Sequence, residues 1–288
     1  VHAQGGGPTR SADEATARDA PFTFPVESSA VRGQWAPVFN LPNVAIHSSV
    51  LPDGHVLMWG RRDRPEQGLD VHECTPFRWN PASGEVSDTP QPQLANGTTV
   101  NLFCSGHDFL PDGRLLVAGG HLADSDGVNQ AALYDWAANS WTPAAPMNRG
   151  RWYPSATTLP DGGVLVLAGS YKEGETIVHN TLPQVWNNGT WAPIAEFPGT
   201  GTGGTNGMLE LYPRMHVADD GRVFMSGPLA RTYLLDTSNG GQWTEVARRA
   251  AGERDYCPAV MYDTGKVIYI GGGGGNGGFS IEAGFVFG

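Results

Sequence analysis

The stretch FCSGHDFLPDGRLLVAGG, residues 103–120, has a companion 49 residues on in RWYPSATTLPDGGVLVLAG, residues 151–169. Each places a Leu-Pro-Asp-Gly turn ahead of an apolar run that ends in Gly. Asp-Gly between two strand-like runs is a hairpin signal, because glycine supplies the positive φ that a tight turn needs. Three more segments share the pattern: HSSVLPDGHVLMWG (47–60), MHVADDGRVFMSG (215–227) and AVMYDTGKVIYIGG (259–272). Their turn glycines, Gly54, Gly113, Gly162, Gly221 and Gly265, are spaced by 59, 49, 59 and 44 residues.

Further strand-like material ending at a tryptophan follows three of these hairpins, as in ALYDWAANSWTPAAPM (132–147), PQVWNNGTWAPIAEF (183–197) and YLLDTSNGGQWTEV (233–246). Two more strands fit there, so each unit holds four antiparallel strands in about 50 residues. That period fits an all-β propeller blade, and the placement of Gly-Gly, Tyr-Asp and Trp resembles the kelch repeat, which implies a kelch-type β-propeller. A β-sandwich is the runner-up, but it does not explain the repeated order of hairpin, Tyr-Asp and Trp. About five blades are present. The fifth has a hairpin, a GGGGGNGG loop and a third-strand candidate, IEAGFVFG, but no tryptophan strand. GQWAPVFNLP (33–42) has the look of a fourth strand ahead of the first hairpin. We therefore expect residues 33–288 to be an incomplete part of a larger, seven-bladed propeller; a closed five-bladed ring is the alternative. Residues 1–32 are polar and aperiodic and are expected to be a tail or arm.

Composition sets outer limits. The 40 glycines and 22 prolines in 288 residues are too many for a helical protein. A net charge of −11 argues against a nucleic-acid partner, whose phosphates need a basic surface. There is no run of 18 apolar residues to suggest a membrane span. Three cysteines, Cys74, Cys104 and Cys257, make no disulfide framework, and whether Cys74 and Cys257 pair stays open. The start, VHAQ, is compatible with a stub left after signal-peptide cleavage. Asn96 and Asn188 each head an Asn-Gly-Thr sequon.

Counting nine residues back from each turn glycine gives Ala45, Cys104, Tyr153, Tyr212 and Tyr256. These should share one structural position, the start of each blade's innermost strand. Four neighbouring blades would then present Cys, Tyr, Tyr and Tyr around one mouth of the central channel, where loops converge on a rigid scaffold. The plain alternative is that these residues only pack, since Tyr and Cys are both at home in strands.

RGRWYPSATTLPDGGVLVLAGS (149–170) resembles the tyrosine-bearing segment of the copper radical oxidases, the galactose oxidase and glyoxal oxidase family. NLFCSGHDFLPDG (101–113) is similar to the family's cysteine segment. ELYPRMHVADDGRVFM (210–225), DYCPAVMYDTGKVIYIGGG (255–273) and the opening 33–60 extend the likeness over about 33–275. The resemblance implies that Cys104 and Tyr153 are joined by a thioether, and that the modified Tyr153 binds copper and holds a radical. It implies oxidation of a small aldehyde or primary alcohol by O2, with release of H2O2, by a secreted protein. It also implies a ring stacked over the linked tyrosine from eighteen residues downstream, a place that Tyr171 takes here. The family's second tyrosine and its two histidine ligands have no match in this chain. Its eight histidines show neither HxH nor HxxxH spacing. The remaining ligands are thus expected from a missing C-terminal part, covalent or in a separate chain. The alternative function is a non-catalytic kelch propeller that binds carbohydrate or protein.

Overall fold

The computed structural model describes residues 33–288 apart from 65, 69–73, 94–95, 199–208, 210, 251, 255, 275–277, 280–283 and 287–288. The expected arm at 1–32, with His2, and also His72, lie outside the described residues. The chain divides into two compact units, residues 1–40 and 41–288. In the first, residues 33–40 form no strand, and Trp35 and Val38 stand exposed to solvent. Residues 33–42, where a fourth strand was expected, form no strand.

The second unit is a series of antiparallel sheets. The first runs β1 (His47–Val50), β2 (Val56–Trp59), β3 (Phe77–Trp79), β4 (Val86–Asp88). The next has β5 (Gly106–Phe109) and β6 (Leu115–Ala118). A small hairpin follows, β7 (His121–Ala123) with β8 (Asp126–Gly127), before β9 (Ala131–Asp135) and β10 (Ser140–Ala144) complete the sheet. The third repeats this plan. It has β11 (Ser155–Thr158) and β12 (Val164–Leu167), the inserted hairpin β13 (Ser170–Glu173) and β14 (Thr176–His179), then β15 (Gln184–Asn187) and β16 (Thr190–Pro193). The fourth is β17 (Arg214–Val217), β18 (Val223–Gly227), β19 (Arg231–Asp236) and β20 (Gln242–Arg248), with one 3-10 turn at Ser238–Gly240. The fifth starts with β21 (Ala259–Asp263) and β22 (Lys266–Tyr269). After the short pair β23 (Gly273–Gly274) and β24 (Gly278–Phe279), β25 (Gly284–Val286) joins β22 as its third strand.

All five expected hairpins form, and all five turn glycines have φ between 67° and 85°. The turns also stack from sheet to sheet. A Cβ added at Gly113 would press on Pro52, and one at Gly162 on Pro111. The Leu-Pro-Asp-Gly repeat is thus an inter-sheet contact as well as a turn.

The core lies between sheets, and strand alternation distributes it. On β6, Leu115 and Val117 pack toward the first sheet with Leu57 and Trp59, while Leu116 and Ala118 pack toward the third with Val164 and Val166. On β12, Leu165 joins Val223 and Leu235 of the fourth sheet. On β18, Phe224 joins Val267 and Tyr269 of the fifth. β6 and β12 therefore read as unbroken apolar runs, because both of their faces are covered. The outer-strand tryptophans tie sheets together: Trp191 and Trp243 donate indole N–H bonds to Ala145 O (2.7 Å) and Ala195 O (2.9 Å) of the preceding unit. No helix among the described residues is long and apolar enough to cross a membrane.

Candidate active site

Cys104, Tyr153, Tyr212 and Tyr256 all have positive φ, at 64°, 64°, 48° and 55°. Left-handed backbone is uncommon outside glycine and costs about 1 kcal/mol or more per residue, so four cases at one repeat phase mark a shared, over-determined position. Each residue comes two or three places before the first strand of its sheet. The Tyr153 N–H donates to Cys104 O and the Tyr212 N–H to Tyr153 O, both at 2.8 Å. The starts at Tyr153 and Tyr212 are thereby each pinned to the one before. First strands β5, β11, β17 and β21 are neighbours in that order, which brings the four side chains to one end of the array.

Cys104 is fully buried, and its N–H donates to His47 Nε2 at 3.2 Å. Its thiol lies beside the Tyr153 phenol, near enough that each alters the other's ionisation. Burial is the main cause that pushes the Cys104 thiol far above its ordinary range; the Tyr153 hydroxyl and Arg61 pull it back in part. Burial also raises Tyr153, and the neighbouring Cys104 raises it further. Both groups rest in their neutral forms. The faces of the Tyr153 ring are taken: Trp152 stacks on it at 3.8 Å between centroids and 10°, and Tyr212 at 4.6 Å and 20°. Tyr212 donates its hydroxyl to Ser105 O at 3.2 Å, while Tyr256 is largely exposed.

The segment that carries Tyr153 is held from behind. Arg151 has no exposed surface, and its guanidinium donates to Ala168 O and Leu182 O at 2.7 Å each. Asn148 Oδ1 accepts from it at 3.2 Å. Burial lowers the Arg151 pKa to about 9. Glycines let the surrounding chain close in: a Cβ at Gly127 would collide with the Arg151–Trp152 peptide, and one at Gly119 with Arg151 O.

A cavity of about 530 Å³ opens here, walled by His47, Phe103, His107, Tyr153, Tyr212 and Tyr256. His107 Nδ1 meets Ser49 Oγ at 3.2 Å, and the His107 ring lies 5.5 Å from that of His47. Burial depresses both imidazoles, His107 to about 4 and His47 well below 6.5, where the His107 charge adds to the effect. A phenolate suits Cu(II), which prefers N and O donors, and Tyr153 presents at the cavity wall a phenol that would give one on losing its proton. Among the described residues no group of three His, Cys, Asp or Glu side chains is placed to hold a metal ion. The donor types at this wall, phenol and imidazole, are ones that copper takes.

The structure brings Cys104 and Tyr153 together and takes Tyr171 elsewhere. Tyr171 sits on β13, within the inserted hairpin, and lines a separate cavity of about 430 Å³ with His121 and Lys172. The ring over Tyr153 belongs instead to its sequence neighbour, Trp152. The repeat phase singled out neither Trp152 nor His47. His47 sits two residues past Ala45, the one in-phase position without a reactive side chain, and stands on β1 itself. His216, on β17, pairs with Ser226 Oγ at 3.1 Å and takes no part in the cavity wall. All three cysteines are buried free thiols, which settles the open question of Cys74 and Cys257 against a disulfide.

Repeated four-stranded sheets, with a thiol and a phenol meeting at the strand starts of two neighbours, define a galactose-oxidase-like β fold. The solved structure of a fungal alcohol oxidase of the AA5 family in complex with copper shares it, with TM-score 0.69 over 84% of this chain and 50% of that one, at 24% identity. A galactose oxidase of Gibberella zeae is 29% identical over 258 residues, 83% of this chain and 36% of that protein. An aldehyde oxidase of Vitis pseudoreticulata is 29% identical over 166 residues, 54% of this chain and 29% of that protein. These relatives support a place for the chain in the copper radical oxidase family. The chain spans about a third of the length of these two sequence relatives. No family model matches the sequence.

Proposed function

We propose that this chain carries the redox tyrosine of a copper radical oxidase that acts on a small aldehyde or primary alcohol and returns H2O2 from O2. The observation that carries the proposal is the Cys104 thiol lying against the Tyr153 phenol at the wall of an open cavity. Joining sulfur to the ring carbon beside the hydroxyl removes the thiol hydrogen and one ring hydrogen as two protons and two electrons, which O2 accepts to become H2O2. The thioether makes the ring easier to oxidise. Bound copper would supply the second one-electron site that a two-electron oxidation needs. Tyr153 would be one of its ligands. Trp152 and Tyr212 stack on the Tyr153 ring, and that cover would let an oxidised ring persist. His47 fixes the Cys104 backbone, and the strained strand starts hold sulfur and phenol in register.

Remaining ligands would come from further blades. Support for those lies at the two ends of the array. Val50 on β1 and Val260 and Tyr262 on β21 are exposed, whereas the first strands β5, β11 and β17 between them are half-buried or buried throughout. Peroxide-forming chemistry is the ground for expecting the protein outside the cell.

The test is intact mass after loading with Cu(I) and exposure to air. A loss of two hydrogen atoms, abolished in Cys104→Ser and Tyr153→Phe, is the expected result. An unchanged mass would leave the binding-module alternative.

A further inference from the structure

We infer that His121 and Trp152 form a positioning pair for Tyr153, with His121 acting through the indole. This rests on the oxidase assignment above and concerns the same site. The Trp152 Nε1–H donates to His121 Nδ1 at 3.1 Å. An Nδ1 that accepts carries no proton, so the ring proton sits on Nε2 and the tautomer is set. His121 is fully buried at the start of β7, and its N–H donates to Asn101 O at 3.0 Å. The Phe103 ring lies 5.7 Å from the imidazole. The backbone of Trp152 is fixed as well, by a two-way bridge to Ser170: N–H to O at 2.8 Å and O from N–H at 2.9 Å. With the main chain and the indole nitrogen both anchored, the indole has one place to lie, parallel to Tyr153 at 3.8 Å.

Sequence neighbours rarely stack, since side chains at i and i+1 diverge in both helix and strand. Here the left-handed turn at Tyr153 folds its ring back onto Trp152. Two consequences follow for a Tyr153 radical. The stacked indole donates electron density to an electron-poor ring, and a hydrogen-bonded indole donates more of it. The indole also seals the face that Tyr212 leaves open. Tyr171, on the inserted hairpin, contributes neither.

The measurement uses this chain without copper. A one-electron oxidant, hexachloroiridate(IV), takes one electron from Tyr153; its phenolic proton goes to solvent and iridium(III) is the reduced product. The readout is the lifetime of the tyrosyl signal by electron paramagnetic resonance, assigned as the component lost in Tyr153→Phe. Trp152→Leu is expected to shorten it by about fivefold or more, the size of one aromatic stack, and Trp152→Phe by less. His121→Leu should shorten it, while His121→Gln, whose amide oxygen still accepts from the indole, should restore it to within about twofold. Tyr171→Phe should leave it unchanged. Lifetimes in Trp152→Leu and His121→Leu equal to that of the parent, or a loss in Tyr171→Phe matching that of Trp152→Leu, would overturn the pair while leaving the oxidase assignment intact. Absence of any Tyr153-dependent signal in the parent would overturn both.

Discussion

Two buried thiols in this molecule lie beside phenols, and they differ in what surrounds them. Cys104 and Tyr153 come from the starts of two neighbouring sheets, and the Tyr153 side of the pair borders a cavity. Cys257 and Tyr269 belong to the fifth unit and pack into the core against Phe224 and Val267. The Tyr269 ring carries the Arg249 guanidinium at 4.5 Å, and a Cβ at Gly227 would collide with its hydroxyl. Burial raises both thiols. Proximity of sulfur and phenol is thus common to the two sites, and a bordering cavity is found at one. The first pair should matter to chemistry and little to stability, and the second the reverse.

The largest contrast should appear on oxidation. Cys104→Ser should abolish the copper-dependent loss of two hydrogens, whereas Cys257→Ser should leave it complete, as read by intact mass. Truncating the second phenol should show most in stability. Tyr269→Ala empties a fully buried site and is expected to cost about 3–5 kcal/mol. Urea unfolding of that variant should show a lower midpoint with an unchanged slope. Acid should separate the regions next. His107, beside the first pair, has its folded pKa lowered to about 4 from 6.5. The unfolded chain therefore takes up the proton first, so stability is full above about pH 6.5 and falls as pH drops toward 4, by on the order of 2–3 kcal/mol. His107→Asn should flatten that slope in unfolding measured from pH 7 to 4, and Tyr269→Phe should not. The smallest effect belongs to Tyr153→Phe, which removes one hydroxyl at a cavity wall and should change stability by about 1 kcal/mol or less, while ending the crosslink.

Much of the fold was open to inspection in the sequence because its signals are local. An Asp-Gly turn between apolar runs fixes a hairpin wherever it stands, and counting nine back from Gly113, Gly162, Gly221 and Gly265 found residues that share a left-handed backbone. The pairing of Cys104 with Tyr153 followed from that phase together with the family likeness. What the sequence hid is geometry that depends on neighbours. Residues 33–42 are as apolar as a strand, but strand formation needs an edge to pair with. Tyr171 keeps the family's spacing of eighteen, yet the inserted hairpin β13–β14 directs it to another cavity. Trp152 escaped notice because adjacent residues stack only when the backbone between them turns left-handed. His47 escaped because its partner is the Cys104 main chain, which no side-chain pattern reveals.

The most direct measurement of the central claim is peptide mapping after copper and air. Trypsin releases residues 79–114, with Cys104, and residues 152–172, with Tyr153, as separate peptides. A single branched species joining them, lighter than their sum by two hydrogens and fragmenting at Cys104 and Tyr153, is the expected product. Two unjoined peptides, with Cys104 fully alkylated after denaturation, would contradict it.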